Sequence, residues 1–150
     1  MNSKKIAEYR KLLNVTKEAT LKELKTIYRN SMKEDHPDTI SDPIARLAAE
    51  ERSKNIIEAY HFLVSIAPET QEKVKETYEQ TITTSNILDF WMEKGVLYIN
   101  FLDGNCFEYF GVPKNVYIKM INAESPSRFA RRHIYKAYLY RSASKLVVSE

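Results

Sequence analysis

The sequence predicts an α+β protein: an N-terminal four-helix domain built on an antiparallel helical hairpin, then a small domain of a three-stranded antiparallel meander plus two helices. Three observations predict it. Up to about residue 80 apolar residues recur at helical spacing, and beyond residue 85 the period falls from 3.6 to 2. Charge divides at the same place: residues 1–80 carry 14 Lys+Arg and 14 Asp+Glu, whereas residues 81–150 carry 9 and 6 and so hold the whole net charge of +3. The expected organisation is a helical domain over 1–80, a linker over 81–85, an α+β domain over 86–141 and a tail over 142–150.

In the first helix, residues 4–13, Ile6, Tyr9, Leu12 and Leu13 repeat on one face and Asn14 terminates the run. Thr20 and Glu23 form a capping box, each side chain satisfying a backbone N–H of the other, which opens a second helix to about residue 35. Its buried stripe is Leu21, Leu24, Tyr28 and Met32. His36-Pro37-Asp38 ends that helix, since proline removes an N–H and restricts the residue before it. Asp42 and Pro43 are N-cap and first position of a long third helix to about residue 63, with Leu47, Ile56, Ala59, Tyr60 and Leu63 expected to face inward. Ala67-Pro68 interrupts, and residues 69–79 form a polar fourth helix.

After the expected linker Thr81-Ile82-Thr83-Thr84-Ser85, residues 87–92 lead through a turn at Lys94-Gly95 into a strand where Leu97, Ile99 and Phe101 alternate with Tyr98 and Asn100. Asp103-Gly104 is a hairpin signal before residues 106–110. Pro113 opens a helix to about residue 123, and Ser125-Pro126 another reaching about residue 141.

With 43% hydrophobic and 29% charged residues, the composition is that of a chain that folds. Cys106 is the sole cysteine, which excludes an internal disulfide and a cysteine-rich zinc site. His36, His61 and His133 show no ligand spacing and there is no phosphate-binding glycine loop, so neither an enzyme nor a bound cofactor is expected. The N-terminus lacks the apolar run of a signal peptide, and the longest apolar-leaning stretch, residues 60–67, is too short to cross a bilayer. A soluble cytoplasmic protein is expected.

On a helical wheel Lys22, Lys25, Arg29 and Lys33 fall within roughly a quarter of the circumference. They lie beside the apolar stripe and away from Glu23 and Glu34. Such a one-signed face steers an acidic partner and sets its register; a merely solvated face more usually mixes signs.

The helices around His36-Pro37-Asp38 resemble the J-domain. Tyr9, Leu12, Leu13 and Val15 match its opening signature, Leu24, Lys25, Tyr28 and Arg29 its second helix, and Ile56, Glu58, Ala59, Tyr60 and Leu63 its third. The similarity covers roughly residues 4–80, with Ser53 where the family usually has a core aromatic. The resemblance implies a cochaperone that docks on a DnaK-type heat-shock chaperone and accelerates its ATP hydrolysis. Chaperone-binding residues would be His36, Pro37 and Asp38 with Lys22, Lys25, Arg29, Lys33 and Lys54. Asp38 would meet a chaperone arginine, and Pro37 would hold the loop in shape.

Residues 85 to about 140 resemble the KTSC domain, through Ser85-Asn86-Ile87, Phe101, Asp103-Gly104, Phe107, Tyr109, Val112-Pro113, Val116-Tyr117, Ser125, Phe129, Ile134 and Tyr138. Pro126-Ser127 and Ala130-Arg131 depart from its pattern. This domain is expected to be the adaptor through which the chaperone is recruited. With three glycines and one cysteine the chain has neither a glycine-phenylalanine linker nor a zinc-bearing client domain.

An alternative is an RNA-binding protein in which the J-like half is only a scaffold. Between Arg128 and Lys145 there are six cations and no carboxylate, with Phe129, Tyr135, Tyr138 and Tyr140 interleaved. Arginines for phosphate and aromatics for stacking are what nucleic-acid binders combine. Candidate contacts are Phe107, Tyr109, Arg128, Arg131, Arg132, Lys136 and Arg141. Phe107 and Tyr109 share one strand face, which either packs beneath the helices or stands open to bases. A module of about 65 residues has little core to spare, which favours packing.

Overall fold

A computed structural model of the chain describes residues 3–35 and 40–143. The chain divides into two compact units, Ile6–Gln71 and a second in which the described residues from Glu72 on are grouped with residues 3–5.

Helix α1 (Ser3–Leu13), which belongs to the first unit from Ile6 on, stops where Asn14 adopts a positive φ of 56°. The Asn14 and Val15 amides then return to the Lys11 and Arg10 carbonyls at 3.1 and 2.9 Å, closing the last turn. Helix α2 (Leu21–Asp35) opens with the expected capping box: Glu23 N–H donates to Thr20 Oγ1 at 3.1 Å and Thr20 N–H to Glu23 Oε1 at 2.9 Å. The Thr20 amide donating to it, and secondly the Thr20 hydroxyl, hold the Glu23 carboxyl below its ordinary value. The Leu21 amide, another orphan donor of this turn, bonds Glu69 Oε1 at 2.8 Å.

Asp42 caps α3 (Pro43–Ser65) by accepting from the Ala45 amide at 2.9 Å. Helices α2 and α3 run antiparallel: Leu24 shares a small cavity with Leu63, while Tyr28, one turn on, stacks on Tyr60 at 4.2 Å, one turn back. Tyr9 fixes α1 to α3, its ring 5.4 Å from Phe62 and its hydroxyl donating to Glu58 Oε2 at 2.6 Å. Leu47 does not face inward as expected: it is 66% exposed, beside Ile44 at 80%. It lies half a circumference from Ile56 on the α3 wheel, and the buried face runs through Ala49, Ser53 and Ile56.

The expected linker is also helical. Helix α4 (Pro68–Thr84) takes in four of its five residues and ends just before Ser85, and both Thr81 and Ser85 are buried. The run of threonines mimics a spacer, but Thr81 donates to Asp103 Oδ2 at 2.7 Å and Asp103 N–H to Ser85 Oγ at 3.2 Å, so tertiary bonds decide the conformation. The same contacts explain why Ser85 and Asp103 belong to one motif.

The second unit holds β1 (Ile87–Glu93), β2 (Val96–Phe101), β3 (Cys106–Phe110), α5 (Lys114–Ile121), α6 (Pro126–His133) and β4 (Leu139–Ser142), the strands forming one antiparallel sheet in the order β1-β2-β3-β4. Lys94 and Gly95, at φ 52° and 80°, make the two-residue turn whose twist suits a hairpin. Ser125 caps α6 by accepting from the Arg128 amide. The α+β class therefore stands, with a fourth strand added. Helix α6 ends at His133, well short of the expected 141. Cross-strand partners outweigh the helical pattern there, because Tyr140 lies opposite Tyr109 and Arg141 opposite Glu108. One sheet face, with Leu97, Ile99, Phe101, Phe107 and Tyr109, packs with Tyr78 and Ile82 of α4, Met120 and Ala130 in the core.

Candidate docking face and the basic helix

Lys22, Lys25, Arg29 and Lys33 are all exposed on α2, and none makes an ion pair among the described residues. The stripe beside them turns inward, with Leu24 buried and Leu21, Tyr28 and Met32 half-buried. One helix thus divides into a packing side and a cationic side. Lys54, on α3, is also exposed. His36, Pro37 and Asp38 lie outside the described residues; α2 ends just before them and α3 begins soon after. His61 is exposed on α3, with its ring 5.4 Å from Tyr60.

The residues proposed for nucleic acid separate into two groups. Phe107 and Tyr109 are 1% and 0% exposed, so neither offers a face to a base. They lie on the helix-covered side of the sheet, where aromatic burial contributes most to a small core. Arg141 is engaged: its guanidinium bonds Glu108 Oε1 at 2.8 Å and sits 5.2 Å from the Phe110 ring centre. Leu139, Tyr140, Arg141 and Ser142 do not alternate apolar with polar, so the sequence carries no local sign that this arginine belongs to a strand. Arg128, Arg131, Arg132 and Lys136 remain exposed, on or just beyond α6, and make no ion pair among the described residues.

Tyrosine hydroxyls knit the second core together. Tyr78 donates to the Tyr135 carbonyl at 2.6 Å, leaving Tyr109 to donate to Tyr78 across 3.1 Å. The Tyr78 ring stacks on Tyr140 at 3.7 Å. Burial pushes Tyr78, Tyr109, Tyr135 and Tyr140 above the ordinary phenol value. Unfolded tyrosines ionise near 10, so above that pH the unfolded chain releases protons that the folded core retains. Stability from these groups is intact below pH 10 and is lost as pH climbs through the raised values. We expect tyrosinate absorbance at 295 nm from these rings to rise together with the loss of near-UV circular dichroism. Independent ionisation near pH 10 with the dichroism intact would contradict the buried placement.

No described helix is long and apolar enough to cross a membrane. Among known families, the DnaJ domain matches residues 8–79 and the KTSC domain residues 84–138. The chain is 35% identical over 81 residues to the chaperone protein DnaJ of Hydrogenobacter thermophilus, covering 54% of this chain and 20% of that one. It is 39% identical over 62 residues to the chaperone protein DnaJ 1 of Aquifex aeolicus, covering 41% of this chain and 16% of that one. It therefore spans a fifth or less of the length of these relatives. No solved structure matches. The first match takes in most of helices α1 to α4 with their exposed cationic side, the second takes in β1 to β3 with α5 and α6, and the chain carries a DnaJ domain followed by a KTSC domain.

Proposed function

We propose that this chain is a cytoplasmic DnaJ-type cochaperone that docks on a DnaK-type chaperone and accelerates its ATP hydrolysis, with the KTSC domain as the adaptor that brings the chaperone to its target. The observation that carries this is the cationic side of α2, exposed at Lys22, Lys25, Arg29 and Lys33 without an ion pair among the described residues and followed in sequence by His36-Pro37-Asp38. Lysines and an arginine of one sign draw in an acidic surface and fix its orientation, and the short motif then makes the closer contact. The phosphoryl chemistry belongs to the chaperone, so this chain needs no nucleophile, base or metal of its own. RNA binding as the function of the whole chain has less support, because it leaves the DnaJ domain without a role and two of its candidate rings are buried.

The test is single-turnover ATP hydrolysis by a DnaK-type chaperone with the full chain added. Stimulation is expected. Lys25→Glu combined with Arg29→Glu should raise the concentration needed for half-maximal stimulation by about tenfold at low salt, since each reversal turns attraction into repulsion. The gap should narrow as salt shortens the Debye length below about 10 Å. Full stimulation by the reversed variant at low salt would remove α2 from the contact.

A further inference from the structure

We propose that the cleft beside α6 binds single-stranded nucleic acid, with Arg128 and Arg132 on its phosphates and the Phe129–His133 ring pair against a base. The cleft is shallow and open to solvent, offers about 490 Å³, and is lined by Glu124, Ser125, Arg128, Phe129, Arg132 and His133, with Ala123. That volume lies in the range, about 300–1,000 Å³, of pockets that accept small organic ligands of nucleotide size.

Its lining is chemically selective. Arg128 and Arg132 stand four residues apart on α6, so their side chains rise from the same side of the helix. Both are exposed and neither makes an ion pair among the described residues, which leaves two planar guanidinium forks for phosphate oxygens. Arg131 and Lys136, also exposed and without ion pairs, extend the positive field beyond the cleft. The one carboxylate in the lining is Glu124, on the far side of the Ser125 cap. Phe129 is half-buried against the core, which holds its ring still, and His133 lies 4.7 Å from it at 47°. An acidic peptide is satisfied by cations alone, whereas a fixed ring edge beside two guanidinium groups suits a strand that carries bases as well as phosphates. The site is separate from Phe107 and Tyr109 and does not rest on the cochaperone reading.

Fluorescence anisotropy of the full chain with a fluorescein-labelled, mixed-sequence 12-nucleotide single-stranded RNA tests this. Binding is expected in 50 mM salt and should weaken roughly 7- to 50-fold by 200 mM, for two to four phosphates neutralised on a single strand. Arg128→Ala with Arg132→Ala should weaken it at least tenfold and His133→Ala by a few-fold, both with unchanged circular dichroism. Lys73→Ala with Lys75→Ala, which removes equal charge from α4, should leave it within twofold. Any of three results overturns the proposal. They are no binding in 50 mM salt, equal losses in the two double variants, and displacement of the RNA by poly-glutamate as readily as by unlabelled RNA, which makes an acidic protein the partner.

Discussion

His36→Gln should leave the chain folded and reduce its stimulation of a DnaK-type chaperone's ATP turnover by more than tenfold. The fold is specified on either side of this residue without it. Helix α2 begins at the Thr20–Glu23 capping box and is tied at its first turn to Glu69, and α3 begins at the Asp42 cap. Neither start needs the imidazole, so circular dichroism and the thermal midpoint should be those of the wild type. Function differs because docking through a short polar motif concentrates the contact on few groups. Removing one partner of a hydrogen-bonded, desolvated contact costs about 2–5 kcal/mol, or some 30-fold and upward in affinity. A variant that is folded and equally stimulatory would refute the proposed role of the motif, whatever the α2 reversals show.

The second large effect is on stability. Tyr109→Ala should destabilise the KTSC domain by about 3–5 kcal/mol, as truncating a fully buried large aromatic does. The ring is 0% exposed and lies on the packed face of the sheet with Leu97, Ile99 and Phe107. For a domain this small that is a large share of the whole. Phenylalanine substitutions separate the ring from the hydroxyl. Tyr109→Phe should cost about 1 kcal/mol, because its hydroxyl bonds Tyr78 at 3.1 Å. Tyr135→Phe should cost nothing or stabilise slightly, because the Tyr135 hydroxyl is buried with no partner among the described residues. Chemical denaturation followed by tyrosine and tryptophan fluorescence distinguishes the three, and equal midpoints for Tyr109→Ala and Tyr109→Phe would mean the ring is not in the core.

The first domain was legible in the sequence almost turn by turn, since its helices begin and end on local chemistry. The Thr20–Glu23 box, the Asp42-Pro43 start and the Asn14 stop act within a few residues of themselves. Leu47 was misplaced because one apolar residue at helical spacing says nothing of where a partner helix lies; the buried side is set by small residues, Ala49 and Ser53, that hydrophobicity alone does not single out. Errors in the second domain share a different cause. Thr81–Ser85 looked like a spacer, and residues 134–141 like more helix, because both take their structure from residues far along the chain: Asp103 for one, Glu108 and Tyr109 for the other. The docking face could be read because it needs only one helix and its period. Pairing of Arg141 and burial of Phe107 depend on a sheet face and a strand partner, which no local pattern fixes.

Strand β4 begins at Leu139, immediately after the KTSC match ends at 138, and it is the sole neighbour of β3 on that flank. A nick or premature stop ahead of Leu139 would uncover the outer rim of β3 and strand the Glu108 carboxylate without its cation. Exposed ladder groups beside Phe107, Tyr109 and Phe110 form an adhesive ribbon. Those four residues keep that rim of β3 covered.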